Sequence, residues 1–81
     1  MLIKKFEGNS PKIDPKAFVA ETAVVIGKAE LKEYSSVWYN VTIRGDVNEI
    51  KVGRYTNVQD NSVLHVSDSH ACIPGDYVTV G

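Results

Sequence analysis

Paired cysteines, long apolar runs and an excess of either charge are all missing from this chain of 81 residues. Its one cysteine, Cys72, excludes an internal disulfide framework and fits a reducing compartment. Nine basic residues stand against ten acidic ones, a net charge of −1 with no basic block, and this excludes the electrostatic footprint of a nucleic-acid binder. Nothing is apolar over a membrane-spanning length, and the opening Met1 to Glu7 lacks the apolar core of a signal peptide. The expectation is a cytoplasmic protein with neither a nucleic-acid nor a membrane partner. A chain this short also makes one domain, with a core that is marginal for its size.

What the sequence does contain is a beat of six. Val19, Val25, Leu31, Val37 and Ile43 follow one another at six-residue intervals, and the residues four places on are Ala23, Ala29, Ser35, Val41 and Val47. Neither the 3.6-residue helical period nor the two-residue strand period produces this pattern. Strands joined by ordinary turns would let the spacing drift with loop length. The pattern predicts an all-β solenoid, a parallel β-helix with one short strand per hexad and three hexads per coil. The aliphatic residue of each hexad points into a narrow lumen, and the small residue sits at a corner.

The frame breaks after Val47 and returns three residues late, with Val52, Val58 and Leu64 inward and Thr56 and Ser62 at corners. The extra residues, around Asn48–Lys51, are expected to bulge at a corner. A second excursion covers Ser67–Cys72, after which Val78 takes a corner and Val80 opens a further hexad. Residues 1–18 read as an extended N-terminal cap, with turns at Asn9-Ser10-Pro11 and Asp14-Pro15 and an apolar anchor at Ile13. Residues 19–81 form the coils. A prism ending at Val80 leaves its lumen bare, so the expectation is a C-terminally truncated solenoid, the front part of a longer protein.

Outward positions next to the inward aliphatics are where chemistry can be displayed on a rigid wall. After Ile43, Val58 and Leu64 these are Arg44, Gln59 and His65, and Asp46, Asn57 and Asp60 lie beside them. If the insertion is absorbed at a corner, Arg44 lies beneath His65 on one face and Gln59 lies on the adjoining one. The same residues read equally well as an exposed histidine and a structural ion pair of Arg44 with Asp46 or Asp60. Trp38 and Tyr39, also outward, are candidate contacts with another chain. Lys28, Glu30, Lys32 and Glu33 read as a solvated face. His70 reads as a surface residue of the second excursion, and no base stands at a defined spacing from Cys72.

In order along the chain, Ile43-Arg44-Gly45-Asp46, Asn57-Val58-Gln59-Asp60-Asn61, Val63-Leu64-His65 and Gly75-Asp76-Tyr77-Val78-Thr79-Val80-Gly81 resemble the γ-class carbonic anhydrase family. The likeness extends to Ala17-Phe18-Val19-Ala20 and Ser36-Val37-Trp38-Tyr39-Asn40, so it covers nearly the whole chain. It implies a left-handed coil, an exception to the right-handed rule for parallel crossovers. A homotrimer is implied too, with zinc, or iron or cobalt, held at each subunit interface by two histidines of one subunit and one of its neighbour. His65 matches the first of these, and the other two would follow Gly81. The implied activity is attack of metal hydroxide on carbon dioxide to give bicarbonate, the metal lowering the pKa of its water to about 7.

By the same resemblance, Gln59 orients the hydroxide or bonds the bicarbonate, and Asn57 is a further polar residue near the site. Arg44, Asp46 and Asp60 match a charged set that supports the interface and the surroundings of the metal. The family's acidic proton shuttle has no clear match here, and the nearest acid is Glu49. With one matching histidine, these 81 residues are expected to hydrate no carbon dioxide by themselves. Two other functions fit a hexad solenoid: an acyltransferase or thioesterase acting on acyl-CoA, and a trimeric scaffold without catalysis.

Overall fold

A computed structural model describes residues 1–65 and 73–81. The second excursion, with His70 and Cys72, lies outside the described residues. Nine strands and no helix occur among those described: β1 Leu2–Lys4, β2 Lys12–Ile13, β3 Phe18–Val19, β4 Val24–Leu31, β5 Ser36–Val37, β6 Thr42–Val52, β7 Asn57–Val58, β8 Val63–His65 and β9 Thr79–Val80. Every pairing between these strands is parallel. Wall one is the ladder β3-β5-β7-β9. Wall two stacks β1, the first half of β4, the first half of β6, and β8, while β2 and the second halves of β4 and β6 make wall three.

This parallel stacking explains the beat of six. Each coil donates backbone N–H groups to carbonyls of the next, as in Ala20 N to Val37 O at 2.8 Å, Trp38 N to Val58 O at 3.0 Å and Gln59 N to Val80 O at 2.8 Å. Equivalent residues therefore sit one above another, and the lumen is a set of columns: Val19, Val37 and Val58 on wall one, Val25, Ile43 and Leu64 on wall two, Leu31 and Val52 on wall three. All eight are buried. Residues 2–13 supply two short strands that pair along β4, and Ile13 packs against the core.

One corner departs from expectation. Phe18 to Ser36 is 18 residues, or three hexads, but Ser36 to Asn57 is 21. The register places the extra three residues within 46–49, opposite Lys28, since Gly27 pairs with Gly45 and Ala29 with Ile50. Val47 is accordingly on the outside at 53% exposure, and Ile50 takes the corner position fully buried. The bulge is thus 46–49, and Ile50 and Lys51 belong to wall three. By swinging the chain outward, the insertion makes room at this corner for a side chain much larger than alanine. The strand behind it passes close to its neighbour: a Cβ on Gly27, whose φ is +74°, would lie 2.5 Å from the Gly45 carbonyl oxygen.

The other corners turn through left-handed backbone. Asn40 and Asn61 do so at the corner between walls one and two, with φ of 59° and 65°. Between walls three and one the residues are Tyr34, Tyr55 and Tyr77, with φ of 58°, 55° and 59°. A positive φ is unfavourable for so bulky a residue. Compensation comes from stacking: the rings of Tyr34 and Tyr55 are 5.0 Å apart, those of Tyr55 and Tyr77 5.1 Å, and the Lys16 ammonium caps the column 5.6 Å from Tyr34.

The relocated bulge is testable by paired truncations. Ile50→Ala should lower the unfolding free energy by about 2–5 kcal/mol, read from the urea midpoint at constant slope, and Val47→Ala should change it by less than about 0.5 kcal/mol.

Candidate functional site

On wall two, strand alternation that turns Ile43 and Leu64 into the lumen turns Arg44 and His65 out. The two are register partners on adjacent strands, one coil apart. Where the strand leaves the wall to form the bulge, Asp46 folds back on Arg44, whose Nη2 donates to Asp46 Oδ2 at 2.9 Å. The backbone N–H of Val47 donates to Asp46 Oδ1, also at 2.9 Å. The guanidinium bond is the main cause that holds the Asp46 carboxyl below the usual carboxylate range, with the Val47 amide assisting and partial desolvation opposing.

Wall one carries Asn57 and Gln59, exposed on either side of the inward Val58. The Asn57 Oδ1 accepts from the hydroxyl of Ser36, its register partner one coil earlier. Gln59 is fixed by its backbone, its N–H on Val80 and its carbonyl accepting from Ser62 N at 3.2 Å. Asp60 is exposed on the corner between the walls, and among the described residues it forms no ion pair with Arg44, which is held by Asp46 instead.

The six candidates thus form two groups on adjoining walls: Arg44, Asp46 and His65 on one, Asn57 and Gln59 on the other, with Asp60 at the edge. That edge is convex, so a ligand touching both groups needs a second surface set against it. Among the described residues no three His, Cys, Asp or Glu side chains come together as a metal site. His65 is the one histidine among the described residues, and its imidazole is exposed on wall two. Glu49 is half-buried and lines a cleft of about 230 Å³ with Lys12, Lys28 and Lys51, which none of the six candidates borders.

Sequence reasoning missed what holds Asn57. Trp38 Nε1 donates to Ser36 Oγ at 3.0 Å, and its indole rests on Phe18 with ring centres 4.9 Å apart. The available signal was the spacing: Phe18, Ser36 and Asn57 occupy one outward column of wall one.

Arg44→Ala should raise the Asp46 pKa toward the ordinary carboxylate value, observable by carboxyl carbon NMR titration. Because the folded value is the lower one, the pair stabilises the coil above the ordinary pKa of about 3.9. That contribution is lost as pH falls through the folded value, so the stability difference between wild type and Arg44→Ala should close in acid.

No protein-family model matches the chain. Curated relatives do: gamma carbonic anhydrase 1, mitochondrial, of Arabidopsis thaliana is 47% identical over 78 residues, 89% of this chain and 28% of that protein. A carbonic anhydrase of Geobacillus kaustophilus is 40% identical over 80 residues, 99% of this chain and 44% of the relative. The chain therefore spans less than half the length of these relatives. Among solved structures, a hexapeptide transferase family protein from Anaplasma phagocytophilum superimposes with a TM-score of 0.92 at 39% identity, covering 99% of this chain and 46% of that one. Over most of its length, then, this chain is similar in sequence to γ-class carbonic anhydrases, and its fold is the left-handed hexapeptide-repeat coil.

Proposed function

We propose that the whole protein is a γ-class carbonic anhydrase, a homotrimer that hydrates carbon dioxide to bicarbonate in the cytoplasm. The observation that carries this reading is the pairing of Arg44 with His65 on wall two, one corner away from Gln59 and Asn57 on wall one. A convex edge bearing an imidazole on one side and carboxamides on the other is half of a site, and a neighbouring subunit supplies the facing half. Zinc, with iron or cobalt as substitutes, is the cofactor in this reading, and His65 is one of its ligands. When bound, such an ion supplies water activation at neutral pH. The chain's own residues do the rest: the Asp46–Arg44 pair holds the wall-two side chains in register beneath His65, and Gln59 and Asn57 offer hydrogen bonds to the oxygens of substrate and product. Asp60 faces the interface from the corner.

The transferase likeness supports a second reading, an acyl-CoA acyltransferase or thioesterase on the same coil. A scaffold without chemistry is the third. Metal analysis joined to stopped-flow carbon dioxide hydration, run on the longer protein, separates them. The expected result is stoichiometric metal and activity in wild type, with His65→Ala losing both by more than about 100-fold. Acetyl-CoA binding without metal would overturn the reading in favour of the second, and neither metal nor acyl-CoA binding would leave the third. The 81 residues alone should hydrate no carbon dioxide in the same assay, since one imidazole does not make a zinc site.

A further inference from the structure

The bonds around Ser36 run in one direction, from the Trp38 indole to the Ser36 hydroxyl and from the hydroxyl to the Asn57 amide oxygen. An indole N–H only donates, so in its contact with Trp38 the Ser36 oxygen must accept. The Ser36 hydroxyl in turn donates to the Asn57 amide oxygen, the atom of that side chain that lies against it. This fixes which way the amide faces. Its oxygen is turned toward Ser36 and its NH2 away, and among the described residues that NH2 has no hydrogen-bond partner. Asn57 is exposed on the outer face of wall one, as is Gln59 two residues on. Phe18, packed on the indole at 4.9 Å, holds Trp38 in place.

We infer that Phe18, Trp38 and Ser36 are a positioning relay that presents the Asn57 amide as a hydrogen-bond donor, never as an acceptor, toward a ligand on the outer face of wall one. Resting on the anhydrase reading above, this assigns the NH2 group to an oxygen of the bicarbonate product, an anion that accepts and would be repelled by the amide oxygen. The relay residues touch no ligand themselves. Their role is to remove the alternative rotamer of an amide that is otherwise free to flip by 180°.

The orientation can be tested without activity, by NMR of the 81-residue chain. Wild type should show a Trp38 indole proton protected from solvent exchange at least about tenfold relative to free indole, and Asn57 NH2 protons with no cross-peak to the Ser36 β-protons. Ser36→Ala should remove the protection and move the Asn57 NH2 signals, Trp38→Phe should move the same signals, and Ser36→Thr, which keeps the hydroxyl, should restore the wild-type pattern. Cross-peaks from Asn57 NH2 to Ser36, or Asn57 signals unmoved by Ser36→Ala, would overturn the relay. In the longer metal-loaded protein, Ser36→Ala should then lower kcat/KM by about 10-fold or more while leaving metal content unchanged, and Ser36→Thr should recover it; a kcat/KM unmoved by Ser36→Ala would overturn the assignment to bicarbonate. Failure of the anhydrase reading shows as absent activity in wild type, and the NMR result stands or falls independently of it.

Discussion

The whole molecule depends on one coil lying in parallel register on the next. Backbone hydrogen bonds between coils fix the axial spacing of a parallel ladder, about 4.8 Å. Every side chain consequently has a neighbour of the same rank directly above and below it. Inside, that produces columns of valine, isoleucine and leucine that bury one another without needing a second sheet or a helix. Outside, it produces columns of whatever the sequence places there. The same constraint builds the core and displays the polar residues, so the site is as rigid as the lumen beneath it.

This explains why so much was legible from sequence. The inward residues Val19, Val25, Leu31, Val37 and Ile43 are tied to a period that no other fold imposes, and all of them are buried. Arg44 and His65 could be placed together because a residue that follows an inward one always faces out, and the coil spacing, once corrected for the insertion, sets which of these become neighbours. The exact place of the insertion was not legible. Val47 and Ile50 are both aliphatic and both fit a frame, and only the pairing of Ala29 with Ile50 shows which one the corner accepts. Nor could the partner of Arg44 be read: Asp46 and Asp60 are equally plausible by type, and the backbone turn at Val47 decides for Asp46.

The relay at Ser36 was hidden for a related reason. Its three hydrogen-bonding members come from two coils, and serine, tryptophan and asparagine carry no period of their own. Only after wall one is assembled does Ser36 fall beside Asn57. There the Ser36 hydroxyl accepts from the Trp38 indole and donates to the Asn57 amide oxygen. An outer surface on this coil is thus specified in two layers, by the hexad frame that brings residues together and by outward side chains that decide which atom of each is shown.

The tyrosine column has an optical consequence. Its three phenols come from three successive coils and lie nearly parallel at about 5 Å, close enough for their electronic transitions to couple. Their near-ultraviolet circular dichroism therefore reads out the stacking of one coil on another, and the chain carries a built-in gauge of its own axial order.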